Sequence, residues 1–194
     1  MASSVTSRRR SQAIAPVNGA VTPVLSAAVL ARVESAKGIF LDVGGGTAKT
    51  KGAISMDHRA LPGVDIWHHW EELPWPLPDA CAHRILLSNI VEYTKPWLIF
   101  PVMDEVWRVL TMGGQVLIAT VYPGHRFWRD PAHTHAWNEL TCHFWNPAHP
   151  GTFWEVHRPK PFQVDLNEWR EHSTLHVIMT KIPWPEESGN APSV

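Results

Sequence analysis

The chain has 194 residues, a formal net charge of −1 and 44% hydrophobic residues. That is enough for one domain with a sizeable core, and it gives no general electrostatic drive toward nucleic acid. The two cysteines, Cys81 and Cys142, are too few for a disulfide framework and point to a reducing compartment, the cytoplasm. No apolar run approaches the roughly 18 residues that span a bilayer, and the polar start from Met1 to Arg10 lacks the apolar core of a secretory signal.

Residues 1–22 are rich in Ser, Ala, Arg and Pro and read as a disordered tail, with Arg8-Arg9-Arg10 a solvated charge run within it. From Pro23 the spacing of Val24, Leu25, Ala28, Val29 and Val33 predicts a helix with proline in its first turn, stopped by Gly38. Strands follow at Gly38–Val43, Ala53–Asp57 and Val64–Trp67. The prolines of Leu73-Pro74-Trp75-Pro76-Leu77-Pro78-Asp79 then hold the chain extended and outside any central strand. His83–Ser88 reads as a fourth strand. Pro96–Leu110 reads as a helix with Ile99, Val102, Met103, Val106 and Leu110 on one face, ended by Gly113-Gly114. Gln115–Val121 is the fifth and central strand. Trp137–Trp145 is a short helix capped by Asn138, and Phe162–Glu171 with Thr174–Ile182 forms a hairpin turning at His172-Ser173. Residues 183–194 form a loose tail. Strands alternating with helices predict an α/β fold over residues 23–182. Its sheet is Rossmann-like and mostly parallel, with a C-terminal antiparallel hairpin strand.

Many of the 11 tryptophans and 12 histidines fall between Trp67 and His157. Tryptophan at this density makes either the flat walls of a pocket or interface, or a small core filled by large side chains. Trp128, Trp137, Trp145 and Trp154 accordingly either line an acceptor pocket or pack a flap onto the sheet. A surface there would suit a protein partner or a second copy. His125, His133, His135, His143, His149 and His157 crowd the same region with Cys142, without a Cys-x-x-Cys or His-Glu-x-x-His pattern. They read as loop histidines, and no metal is expected.

The segment that carries chemistry is Phe40-Leu41-Asp42-Val43-Gly44-Gly45-Gly46. A buried strand that ends in an acid and three glycines turns sharply, and glycine lets a ligand approach bare backbone. Asp42 reads either as a ligand or as the cap of that turn, and Asp57, at the end of the second strand, as a ligand or a loop carboxylate. No nucleophile elbow and no phosphate-binding Gly-x-x-x-x-Gly-Lys-Ser/Thr occurs, and the Gly-x-G-x-x-Gly of dinucleotide sites is imperfect.

In order along the chain, five segments resemble the class I S-adenosylmethionine-dependent methyltransferases, and more narrowly the short "type 11" set of bacteria and phages. They are Leu41–Gly46, Met56-Asp57, Leu73–Asp79, Leu87-Ser88-Asn89-Ile90-Val91-Glu92-Tyr93 and Glu105-Val106-Trp107-Arg108-Val109-Leu110-Thr111-Met112-Gly113-Gly114. Asp130-Pro131-Ala132-His133 resembles a segment that follows strand five in that set. The resemblance covers about residues 38–182 and implies methyl transfer from S-adenosylmethionine to an unidentified acceptor.

It implies that Asp42, Gly44, Gly45, Gly46 and Asp57 surround the cofactor, with Asp57 accepting from the ribose hydroxyls. Glu71, Ser88 and Asn89 are second choices, and aromatic residues from Trp67 to Trp75 would enclose the adenine. The loop after strand five would bring Tyr122, His125, Asp130 and His133 to the donor, with His133 as base and Asp130 orienting it. The other reading makes that loop a turn that holds the flap. The implied partners are the small-molecule cofactor and an acceptor that the sequence leaves open among small molecule, sugar, protein and nucleic acid, the near-zero net charge speaking against nucleic acid, and no membrane. The chain departs from the family pattern in four ways. Its motif is Gly44-Gly45-Gly46-Thr47-Ala48-Lys49, not the full Gly-x-Gly-x-Gly. Only about ten residues separate Gly46 from Asp57, too few for a helix and a strand. His69 stands where an acid often follows strand three. Ile90–Tyr93 alters the fourth motif. These departures support the alternative of a degenerate methyltransferase-like binding or assembly module.

Overall fold

The computed structural model describes residues 25–35, 38–124, 129–151, 154–170 and 174–185. The tails and the turn at His172-Ser173 lie outside the described residues, as do His125 and Trp128.

Helix α1 (Ala27–Val33) begins where the Ser26 hydroxyl accepts from the Val29 N–H, and it buries Val29 and Val33. Strands β1 (Ile39–Val43), β2 (Ile54–Asp57), β3 (Ile66–Trp67) and β4 (Ala82–Ser88) follow. After a 3₁₀ turn at Val91–Tyr93 come α2 (Ile99–Val109) and β5 (Leu110–Val121). A second 3₁₀ turn (Thr141–Trp145), the one-turn α3 (Trp154–His157), β6 (Phe162–Arg170) and β7 (Thr174–Lys181) complete the order.

The seven strands form one sheet in the order β3-β2-β1-β4-β5-β7-β6. Pairings from β3 through β5 are parallel, and β7 runs antiparallel to both β5 and β6. This is the mostly parallel sheet with a C-terminal antiparallel hairpin expected from the sequence. Alternate residues Leu41, Ile85, Leu87, Val116, Ile118 and Val177 are buried and join one core cluster with the inner face of α2 (Val102, Met103, Val106). Strand periodicity of two and helix periodicity near 3.6 meet in that layer.

The helix expected to carry proline in its first turn starts instead at Ala27, because Ser26 is extended and caps it, so Leu25 precedes the helix. Three further local expectations change. First, α2 ends at Val109, not at Gly113-Gly114, because Leu110 already pairs with Ala82. The next paired residues are Arg84 and Gln115, so residues 111–114 bulge out of the ladder. Gly113 there has φ +75°, and a Cβ on Gly114 would lie 2.9 Å from the Thr111 carbonyl oxygen. Second, the start of α2 moves from Pro96 to Ile99, because Val91–Tyr93 and the turn closed by Leu98 N–H to Lys95 O use the intervening chain. Third, the predicted helix 137–145 contracts to Thr141–Trp145. The Asn138 carboxamide caps the preceding turn instead, accepting from the Leu140 N–H.

Candidate functional site

The carboxyl ends of β1, β2 and β4 meet at one edge of the sheet, where open α/β folds take ligands. The chain leaves β1 through Gly44 at φ +74° and Gly46 at φ +55°, conformations that favour glycine. The Gly44 N–H donates to Met56 O at 2.7 Å, and the Gly46 N–H donates to Asp57 Oδ2 at 2.9 Å, so the turn is stitched to β2. Its return is stitched as well. Thr50 N–H donates to Asp42 Oδ2 at 2.8 Å, and Lys49 Nζ lies 2.5 Å from Asp65 Oδ2. Asp42, 2% exposed, thus braces the turn.

The glycine turn is filled from inside. A Cβ on Gly44 would lie 2.3 Å from Ile90 Cδ1, one on Gly45 would lie 2.9 Å from Asp42 Oδ2, and one on Gly46 would lie 3.0 Å from Arg59 Nη2. Asp57 has a side chain 1% exposed and takes both oxygens inward. Besides the Gly46 bond, it accepts from Arg59 N–H at 2.9 Å, Arg59 Nε at 3.1 Å and Arg59 Nη2 at 3.2 Å. Burial pushes the Asp57 carboxyl up, but the hydrogen bonds from Arg59 and Gly46 and the charge of Arg59 outweigh it and hold the group below its ordinary value. Arg59 and Ile90 were not picked out in the sequence. The only signal for Arg59 was its place two residues after the acid, and none pointed Ile90 at Gly44.

The remaining cofactor candidates scatter. Glu71 is spent on Lys95, accepting from its N–H at 2.7 Å and from Nζ at 2.8 Å, which ties the loop after β3 to the loop after β4. Asn89 is exposed with φ +50°, its N–H donating to Ala119 O at 2.8 Å, and Ser88 is half-buried on a sheet face. His69 stacks on Trp70 with centroids 4.2 Å apart, and burial pushes its pKa below the ordinary value. Trp67 is 60% exposed at the rim. Trp75 is 2% exposed in the core, its Nε1–H donating to Trp70 O. Trp75 therefore packs the interior and walls no adenine site, and Trp67 is left as the open aromatic face.

At the ends of β4 and β5 the structure brings together Asp130 and His133, and adds Tyr93 and Glu92. The Tyr93 hydroxyl donates to Asp130 Oδ2 at 3.0 Å, and the Tyr93 ring meets the His133 ring edge-on at 4.6 Å. Asp130 Oδ1 accepts from Ala132 N–H, and its backbone carbonyl accepts from His133 N–H. Glu92 is 1% exposed. Its Oε2 accepts from the Thr120 hydroxyl at 2.9 Å, and its backbone carbonyl accepts from Thr134 N–H at 2.8 Å and His135 N–H at 3.1 Å. Burial raises the Glu92 pKa despite those bonds. Residues 133–135 are thereby folded back over the turn that follows β4. Tyr122 lies against the Trp169 ring, 3.4 Å between centroids.

The tryptophans of this region pack inward. Trp137 and Trp145 stack at 5.6 Å with planes 3° apart and are 0% and 1% exposed. Trp154 is 3% exposed, and its Nε1–H donates to Pro159 O. They hold the flap on the sheet and line no acceptor pocket. Among the described residues no group of three or more His, Cys, Asp or Glu is placed to hold a metal ion, and no helix is long and apolar enough to cross a membrane.

No protein-family model matches the chain, and no curated protein matches it. Solved structures do. The antibiotic-resistance methyltransferase Kmr is 14% identical, with a TM-score of 0.50 over 80% of this chain and 93% of that one. An S-adenosylmethionine-dependent methyltransferase from Methanosarcina mazei is 13% identical, with a TM-score of 0.51 over 75% and 92%. A chain of the Haloferax volcanii complex that contains the Trm112 methyltransferase activator is 12% identical, with a TM-score of 0.52 over 74% and 82%. The chain has the methyltransferase fold.

In a methyltransferase fold, the edge described above is where S-adenosylmethionine would lie. The residues present do not fit the cofactor in this conformation. Both oxygens of Asp57 already accept hydrogen bonds from Gly46 and Arg59, the acceptors that a ribose would need. The obstacle is one long side chain, 54% exposed, and not backbone.

Proposed function

We propose that this chain is an S-adenosylmethionine-dependent methyltransferase of the short "type 11" kind, described here in a closed state. One observation carries the reading. The bond from Gly46 N–H to Asp57 Oδ2 joins the glycine turn of β1 to the acid of β2 at the carboxyl edge of a methyltransferase-fold sheet. Asp57 is the group for the ribose once Arg59 swings off, and the backbone of Gly45 and Gly46 is the floor beside it. Ser88 and Asn89, at the end of β4, stand next along the edge. His133, beside Tyr93 and Asp130, is the candidate base for an acceptor proton. His125 and Tyr122 remain candidates from the same loop. The catalytic unit is the domain 23–182, and free, buried Cys81 and Cys142 support a cytoplasmic setting.

The Arg59–Asp57 pair also favours a second reading, a methyltransferase-like module that no longer takes the cofactor. Calorimetry with S-adenosylmethionine and S-adenosylhomocysteine separates the two. Saturable binding that Asp57→Ala weakens supports the enzyme. No heat at millimolar ligand, for the wild type and for Arg59→Ala alike, supports the module.

A further inference from the structure

Four strands carry an apolar row on the face of the sheet turned away from α2. Leu86 of β4 is in register with Leu117 of β5, Leu117 with Ile178 of β7, and Ile178 with Leu166 of β6. All four are half-buried, and none joins the core cluster that holds α2, Trp137 and Trp145. They floor an open trough of about 310 Å³ whose described lining comes from these strands alone. A parallel pair such as β4–β5 ordinarily has both faces covered. The row beside the stripe carries an unmatched charge at each end. Arg84, on β4, is exposed. Its guanidinium lies 5.9 Å from the Phe40 ring centroid, and no carboxylate among the described residues pairs with it. Asp165, on β6, is exposed as well. Its Oδ2 accepts from the Thr180 hydroxyl and from Gln115 Nε2, residues in register with Arg84, so its carboxylate lies on this face. It meets no cation among the described residues. Three strand spacings of about 4.8 Å keep the two charges apart within one chain.

We propose that the stripe is the contact face of a two-fold dimer of this chain, with Arg84 of each copy against Asp165 of the other. Rotation by a half-turn about an axis along the strands, between β5 and β7, lays β4 over the other copy's β6 and β5 over its β7. Leu86 then meets Leu166 and Leu117 meets Ile178, across the roughly 10 Å that separates packed sheets. The polar rows follow the same operation. Arg84 falls on Asp165 and Gln115 on Thr180 along one flank, and Ser88 falls on Glu168 along the other. The contact is isologous, so each of these pairs occurs twice. An axis along the stripe would instead lay Leu86 on Leu86 and bring Asp165 to Glu168, two like charges. The charge pattern therefore selects one register as well as the partner. Area sets the strength. Four strands and three rows give roughly 400 Å² of flat contact per copy, half the ~800 Å² of a standard interface. The dimer is reversible, forms as concentration rises, and is held in register by two ion pairs at its rim that salt screens.

Sedimentation velocity on the full chain, from about 10 μM to about 1 mM, tests this. The mass should rise from monomer to dimer over that range, and added salt should move the rise to higher concentration. Arg84→Asp, at an exposed position, should fold as the wild type does and weaken association roughly tenfold or more. Asp165→Arg should do the same, and the double swap should regain the association. Methyl-resolved NMR gives a second reading: the Leu117 and Ile178 methyls should shift with concentration in the wild type and stay in place in Arg84→Asp. A monomer throughout the range overturns the proposal, whatever then covers the stripe. So does a dimer that Arg84→Asp leaves intact, or one that the single swap breaks and the double swap does not restore.

Discussion

The guanidinium of Arg59 lies along the carboxylate of Asp57, with Nε 3.1 Å from Oδ1 and Nη2 3.2 Å from Oδ2. Charge-assisted pairs of this kind are selective as well as strong, and this one uses the acid that the fold offers to a ribose. Arg59→Ala should therefore tighten S-adenosylmethionine binding about tenfold by calorimetry, and Asp57→Asn should abolish it in either background. Equal affinity of the wild type and Arg59→Ala would remove the gate and leave cofactor binding standing.

Gly44 holds a different position open. Its φ is +74°, and its missing Cβ is replaced by Ile90 Cδ1 at 2.3 Å. Gly44→Ala should cost about 2–4 kcal/mol, combining left-handed strain with overpacking, read from urea midpoints. Ile90 is 4% exposed, and its truncation carries a cavity cost of its own, so the clash is read as coupling: Gly44→Ala should cost less in an Ile90→Ala background than in the wild type, by the overpacking share alone. Equal costs in the two backgrounds would show that Ile90 is not the obstacle.

Glu92 sets a pH dependence. Burial holds its folded pKa above the ordinary 4.5. The folded state therefore keeps a proton that the unfolded state releases, so stability is greatest below the ordinary value and is lost as pH rises through the folded one. Glu92→Gln should match the wild type near pH 4.5 and exceed it in urea midpoint at pH 8. A gap that narrows as pH rises would contradict the assignment.

Arg108 staples the proline segment to α2. It donates to both oxygens of Glu105, to Asp79 Oδ1 and to the carbonyls of Trp75 and Leu77. Arg108→Ala leaves the Glu105 carboxylate, 7% exposed, without its cation. The expected cost is about 2 kcal/mol, reduced from a fully buried pair by the partial exposure of Arg108. Arg108→Lys should restore only part of it, because one ammonium cannot span the two acids and two carbonyls. Chemical denaturation of the three proteins checks the order.

The sequence by itself determined the strands, the central helix and the parallel-then-antiparallel order of the sheet. Burial on one or both faces imposes a period on the chain, and that period survives in Ile39–Val43, Ala82–Ser88 and Ile99–Val109 whatever surrounds them. It also put Gly44–Gly46 and Asp57 at one edge, since both follow buried strands. Only the tertiary structure decided what those residues face. Ile90 fills Gly44 from 46 positions away, and Asp130 pairs with Tyr93 across 37. Arg59 folds back onto Asp57. The stack of Trp137 on Trp145 decided between pocket wall and packed flap, which the sequence left open, in favour of packing. Periodicity records whether a side chain is buried. Which group meets it depends on how separate loops converge, and that is fixed only when the sheet brings their ends together.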